Sequence, residues 1–229
     1  RAINADGALV KIPGRPSDYS EEQLASLTTL ADVMPTGFHA AKAADVHEGD
    51  TVVVFGDGAV GLCAVISAKL LGAKRIIAMS RHEDRAALAR DFGATDIIAE
   101  RGAEAIQKIM AITNGYGADA ALECVGTEAI ESAFQAVRAG GRVGRVRVPH
   151  DVDYNEWIDS LFWKNIQLGG GVASVARWDK EILLEAVLSG EIDPGRVFTE
   201  EFTLDEIQKA YEAMDQRTAI KSLLIISEG

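Results

Sequence analysis

With 229 residues, 48% of them hydrophobic and 25% charged, the chain has the makeup of a globular protein with one large domain, or one domain plus part of a second. A net charge of −12, with acids spread along the chain, argues against a nucleic-acid binder, which needs a basic face, and no apolar run is long enough to span a membrane. Cys63 and Cys124 lie far apart in apolar contexts, which reads as buried free thiols of a cytoplasmic protein and not as a disulfide or a cysteine-based metal cluster.

The first residues, Arg1-Ala2-Ile3-Asn4-Ala5-Asp6, carry no signal-peptide pattern and no initiator Met, so the chain is expected to begin inside a longer gene product. Residues 1–13 read as a strand, a turn at Asp6-Gly7 and a second short strand over 8–12 that Pro13 stops. Ser20-Glu21-Glu22-Gln23 is a capping box, predicting a helix to about Leu30. Asp32 to Gly37 breaks it, and a second helix runs from about Thr36 to Asp45.

From Thr51 the chain alternates. Strands are predicted at 51–55, 74–79, 96–98, 119–125, 142–148 and 165–168, with helices at 59–71, 83–92, 103–112, 128–138 and near 155–163. Short strands alternating with helices mean βαβ units, hence an α/β fold with a doubly wound (Rossmann) parallel six-stranded sheet. After Gly171 the period changes. A helix at 178–189, an extended segment at 197–202, a helix capped by Thr203 and Glu206, and a strand at 220–226 read, with the N-terminal residues, as a partial second domain from the two chain ends. The expected domains are 1–31, 32–175 and 176–229.

The first strand of the alternation runs directly into Gly56-Asp57-Gly58-Ala59-Val60-Gly61 and then into an Ala- and Leu-rich helix. In that setting G-x-G-x-x-G has a mechanism. Gly56 permits the tight turn, Gly58 lets the backbone approach a pyrophosphate, and Gly61 lets helix and strand pack closely. The helix N-terminus offers N–H groups and a positive dipole end to the phosphate.

About 20 residues further on, an NAD site usually offers an acid to the adenosine ribose. Here the second strand ends in Met79-Ser80-Arg81-His82. Ser80 can donate to a 2′-phosphate and Arg81 can pair with it, so NADP(H) is favoured over NAD(H). The plainer alternative is a solvated helix start, with Glu83 and Asp84 pairing with Arg81 or Arg85. Cys124 lacks a His and an acid to activate it, so a thiolate nucleophile is rejected. His39, His47 and His150 receive no role.

Asp32-x-x-x-Thr36-Gly37-Phe38-His39, the glycine turn, Phe92-Gly93-Ala94-Thr95-Asp96, Ala121-Leu122-Glu123-Cys124-Val125-Gly126 and Gly140-Gly141-Arg142-Val143 together resemble the zinc-dependent alcohol dehydrogenases of the medium-chain dehydrogenase/reductase superfamily. The likeness covers almost the whole chain in order, and Asp32 fits the branch resembling bacterial secondary alcohol dehydrogenases. It implies hydride transfer between NADP(H) and an alcohol and its ketone or aldehyde, a catalytic zinc, a small-molecule substrate and a homo-oligomer, dimer or tetramer.

Residue by residue, the resemblance makes Asp32 a zinc ligand, although an N-cap is its other reading, and places Thr36 beside the nicotinamide ring. Val146, Arg147 and Val148 match a segment touching the nicotinamide half, with Arg147 where a small residue is common. Leu168 and Gly169 match the carboxamide-holding end of the sixth strand, and Lys221 a basic residue that reaches the pyrophosphate. Arg145 and Arg147, alternating on one strand, could both point to one solvated side.

The remaining zinc ligands, a proton relay and most of the GroES-like catalytic domain of that family are not in the chain, so it is expected to be the cofactor-binding portion, inactive alone. The competing readings are a zinc-free quinone or enoyl reductase of the same superfamily, a methyltransferase, and a nucleotide-binding module without catalysis.

Overall fold

The computed structural model describes residues 5–148, 155–173 and 176–226. The chain divides into two compact units, Thr36–Ala173 and a second built from Arg1–Pro35 with Ser174–Gly229.

The larger unit holds a six-stranded sheet of β1 (Thr51–Phe55), β2 (Arg75–Met79), β3 (Asp96–Ile98), β4 (Ala118–Glu123), β5 (Val137–Arg145) and β6 (Gln167–Gly170). The order is β3-β2-β1-β4-β5-β6 and every pairing is parallel. This is the doubly wound arrangement, whose order reverses between β1 and β4 and opens a crevice at the carboxyl ends of those strands. The run Val52-Val53-Val54 forms a strand buried on both faces, and all three side chains are fully buried. Each such valine contributes about 1.5–3 kcal/mol by leaving water.

Val53 and Phe55 of β1 pack with Ile77, Met79 and Val143 into one core. It is covered by Ala105 and Ile109 of α6 (Gly102–Ile112), Ile130 and Phe134 of α7 (Thr127–Ala136), and Trp157 of α8 (Asn155–Lys164). Period-2 alternation sends Val52 and Val54 to the opposite face. The turn after β1 feeds α4 (Ala59–Leu70), and α5 (Glu83–Phe92) links β2 to β3. The sheet-side end of α3 (Val33–Ala43) lies so close to β5 that a Cβ on Gly144 would overlap the Ala40 carbonyl oxygen.

The smaller unit contains α1 (Ala5–Ala8), α2 (Glu21–Thr29), α9 (Arg177–Leu188), α10 (Ile207–Asp215) and a parallel pair, β7 (Phe198–Thr203) with β8 (Lys221–Ile225). The capping box of α2 forms as expected, Ser20 accepting from the Gln23 N–H. The Ser26 hydroxyl donates to Asp193 at 2.7 Å and accepts from the Gly195 N–H at 3.0 Å, tying α2 to the turn after α9.

Some boundaries differ from expectation. The turn at Asp6-Gly7 is instead the short helix α1, and residues 9–12 form no strand. Leu9 is 61% exposed and Ile12 43%, and a strand without a partner or a buried face is not stable. The other expected strand, within residues 1–4, lies outside the described residues, as does His150. Helix α3 starts at Val33 and not at Thr36. Pro35 falls in its first turn, where the missing N–H has no helical acceptor to lose. Strand β5 begins at Val137, which pairs with Ala118 before a register shift, and ends at Arg145.

Replacing Gly144 by Ala is expected to push α3 away from β5. A loss of about 1–3 kcal/mol, or roughly 2–10 °C in the unfolding midpoint, should appear in a thermal melt. An unchanged midpoint would mean that the helix and the strand are not held this closely.

Candidate functional site

The crevice is built on the turn Gly56 to Gly61. Gly56 has φ +122°, and a Cβ there would stand 2.9 Å from a Val125 methyl carbon. A Cβ on Gly61 would overlap the Gly56 carbonyl oxygen, so α4 can sit this close to the end of β1 only with glycine there. Gly58 has open space on the side where its Cβ would stand and is the N-cap of α4, with no side-chain cap bond. An uncapped helix start beside an open backbone position fits a phosphate group, which can take the N–H groups of the first turn.

Ser80 was expected to face the ribose. It is 2% exposed, and its hydroxyl donates to the Asp57 carboxylate at 2.8 Å. Asp57 also lies 3.6 Å from Arg85, whose guanidinium donates to the Asp57 carbonyl at 3.4 Å. Ser80 therefore braces the glycine turn, and Arg85 balances the charge of Asp57. Arg81 and His82 are exposed at the start of α5. Glu83 pairs with Arg90 at 3.0 Å, and neither Arg81 nor Arg85 takes it.

Sequence reasoning gave Arg85 no part in the site. Its signal was present: positions 85, 88, 89 and 92 share one helical face, and the other three are Leu88, Ala89 and Phe92, all buried. A cation on that face needs a partner, and Asp57 is that partner.

The β4 side of the crevice rests on a second buried charge. Glu123 is fully buried, and its carboxylate accepts from the N–H groups of Val125 (2.7 Å) and Gly126 (2.5 Å). Arg145 Nε lies 3.1 Å from the other carboxylate oxygen, and its guanidinium lies over the Trp157 ring at 5.0 Å. The expectation that Arg145 and Arg147 share a solvated side is thus corrected. Arg145 is 7% exposed, and because β5 ends there the alternation does not carry on to Arg147, which is exposed. The Arg147 side chain lies beside Gly126. Cys124 and Cys63 are free thiols, and desolvation pushes the Cys124 thiol well above its ordinary range, with Glu123's charge adding to the shift.

Val146 follows β5 and donates its N–H to the Glu123 carbonyl at 3.2 Å, and Val148 is exposed. Leu168 and Gly169 lie within β6, opposite Val143 and Gly144, and a Cβ on Gly169 would stand 2.7 Å from the Ala43 carbonyl oxygen. Thr36 is half-buried at the start of the larger unit. Asp32, exposed in the turn before α3, and Lys221, half-buried at the head of β8, belong to the smaller unit. Among the described residues no group of three His, Cys, Asp or Glu side chains could hold a metal ion, so these residues alone do not make a complete zinc site.

A doubly wound sheet with a glycine turn opening onto an uncapped helix at the point of strand reversal is the architecture of a dinucleotide-binding domain. The chain belongs to the medium-chain, zinc-dependent alcohol-dehydrogenase-like family, residues 59–175 matching the zinc-binding dehydrogenase family. It is 34% identical to the NADP-dependent isopropanol dehydrogenase of Thermoanaerobacter brockii, over 98% of this chain and 64% of that protein. It is 31% identical to an alcohol dehydrogenase of Cupriavidus necator, over 92% of this chain and 57% of that one. Its fold superposes on the alcohol dehydrogenase TADH of Thermus sp. ATN1 with a TM-score of 0.82 at 32% identity, covering 93% of this chain and 60% of that one. The chain thus spans less than two thirds of each of these proteins.

Replacing Glu123 by Ala leaves Arg145 buried without its counter-charge and frees two N–H groups. Chemical denaturation should show a loss of about 3–5 kcal/mol, and the change would be small if the pair carried no structural weight.

Proposed function

We propose that the protein to which this chain belongs transfers a hydride between NADP(H) and an alcohol and its ketone or aldehyde, with this chain as the cofactor-binding portion. The observation that carries the reading is Arg81, exposed at the tip of β2 beside the glycine turn, where an NAD reader places an acid. Asp57 does not restore that acid, because Ser80 and Arg85 engage its carboxylate. The Thermoanaerobacter brockii relative is an NADP-dependent enzyme, which agrees with the choice.

In this reading the backbone of Gly56, Asp57, Gly58, Ala59, Val60 and Gly61 holds the pyrophosphate, and Lys221 adds a cation to it. Ser80, Arg81 and His82 form the ribose end. Val146, Arg147, Val148, Leu168 and Gly169 line the nicotinamide half, and Thr36 stands beside the ring. The bound dinucleotide supplies the hydride donor or acceptor. Asp32 is one ligand of a zinc whose other ligands lie outside these 229 residues. Residues 32–175 form the cofactor domain, and 1–31 with 176–229 are part of a GroES-like catalytic domain.

Titrating the 229-residue chain with NADPH and NADH should give at least tenfold tighter NADPH binding, roughly the worth of one charge-assisted contact. With zinc and a ketone added to the NADPH-bound chain, no turnover above background is expected. Equal or absent binding of both coenzymes would remove the cofactor reading, and turnover by the chain alone would remove the reading of it as a cofactor-binding portion.

We propose further that two copies pair along β6, the terminal strand of the sheet, with the neighbouring α8. Phe162 and Trp163 of α8 are 71% and 76% exposed, and Leu168 of β6 is 37% exposed. An open strand edge next to exposed aromatics is the feature that a second copy would cover. Light scattering should give a mass of 24.4 kDa multiplied by the number of copies, and Leu168→Lys should shift it to one copy. A monomer at all concentrations would sink the pairing.

A further inference from the structure

Strands β2 and β3 run side by side with Met79 opposite Ile98, and the Ser80 N–H donates to the Ile98 carbonyl at 3.1 Å. The two chains therefore leave the sheet together at its carboxyl edge. Arg81 follows on one, and Ala99-Glu100-Arg101 on the other. Arg101 precedes α6 and does not run straight into solvent. Its Nη1 donates back to the carbonyls of Ala99 (3.1 Å) and Glu100 (2.8 Å), which folds the guanidinium over the tip of β3.

Three carboxylates near these tips, those of Asp57, Glu83 and Glu100, are engaged with other cations, and a fourth, Asp84 in the first turn of α5, is exposed. Asp57 of the glycine turn holds Ser80 and Arg85. Glu83, at the start of α5, is with Arg90 at 3.0 Å, and Glu100, next to Arg101, is with Lys108 at 2.5 Å. Among the described residues no acid lies within 4 Å of the guanidinium of Arg81 or of Arg101. The two cations are near enough to act on each other. Desolvation lowers the pKa of Arg101, the charge of Arg81 lowers it further, and Asp57 and Glu100 oppose the drop. Two cations at adjoining strand tips, each within the other's influence while Asp57, Glu83 and Glu100 are engaged elsewhere, favour an anion placed between them.

We propose that Arg101 is the second cation of a 2′-phosphate subsite, sharing the phosphate monoester of NADP(H) with Arg81, and that Ser80 serves this subsite indirectly by holding Asp57 away from it. The inference rests on the reading of NADP(H) as the coenzyme and adds to it a specificity residue on β3. A phosphate dianion has three terminal oxygens, enough for a fork from each side. A ribose hydroxyl offers no charge to either arginine, so the pair discriminates against NADH without touching the parts that the two coenzymes share.

The test compares the 229-residue chain with Arg81→Gln, Arg101→Gln and Arg101→Lys, titrated with NADPH and NADH by nicotinamide fluorescence and with 2′-AMP and 5′-AMP by competition. Arg101→Gln should weaken NADPH and 2′-AMP by roughly tenfold to a hundredfold, and leave NADH and 5′-AMP within about twofold. Arg101→Lys should recover part of the loss. If Arg101→Gln keeps full NADPH affinity while Arg81→Gln loses it, the role of Arg101 is overturned and the NADP(H) reading stands. Equal loss of both coenzymes in Arg101→Gln marks a structural role and also overturns it. A parent chain with no preference for NADPH removes both readings. Unfolding midpoints of the variants separate loss of contact from loss of fold.

Discussion

The crevice depends on the absence of a side chain at residue 61. With nothing there to meet the Gly56 carbonyl, α4 starts directly above the end of β1, and its first N–H groups face the point where the strand order reverses. Gly56 adds the left-handed turn (φ +122°) that aims the chain into the helix and brings it against Val125, two residues past the end of β4. One backbone contact thus sets both the direction of the helix dipole and the spacing between the strands on either side of the crevice.

Charges buried at the two strand tips then hold that geometry. Asp57, Ser80 and Arg85 join the glycine turn to the β2 tip and α5. Glu123, Arg145 and Trp157 join the β4 tip to β5 and α8. Burying ions costs desolvation that mutual attraction only partly offsets, so such pairs are weak evidence of extra stability. Their value here is directional. Glu123 fixes the N–H groups of Val125 and Gly126, and Val125 is the residue that Gly56 meets.

Much of this is legible in the sequence. β-branched runs at Val52–Val54 and their alternation with helices place the strands, because a fully buried parallel strand has to read as continuous apolar sequence. The glycines announce the turn because no other residue type fits the close approach. The residues that escaped are those whose role depends on distant partners. Arg85 and Arg145 look like surface cations until Asp57 and Glu123 are found beside them. Ser80 is visible in the sequence as part of the motif, but its bond to Asp57, which crosses 23 residues, is not. Residues 8–12 have the pattern of a strand, but a pattern specifies a strand only where there is an edge and a core to receive it.

The electrostatics of the ribose end follow from the same logic. The chain carries −12 overall, a balance that would repel a polyanionic coenzyme if charge acted as a bulk quantity. It does not, because screening confines the influence of exposed charges to about 8 Å at physiological salt. Within that range what counts is which acids are already engaged. Arg90, Lys108 and Arg85 take the carboxylates of Glu83, Glu100 and Asp57. The paired charges cancel nearly in place, leaving the two cations Arg81 and Arg101 against the single acid Asp84 in the first turn of α5. An acidic protein thereby presents a cationic tip at one end of its crevice, through the assignment of partners and not through an excess of basic residues.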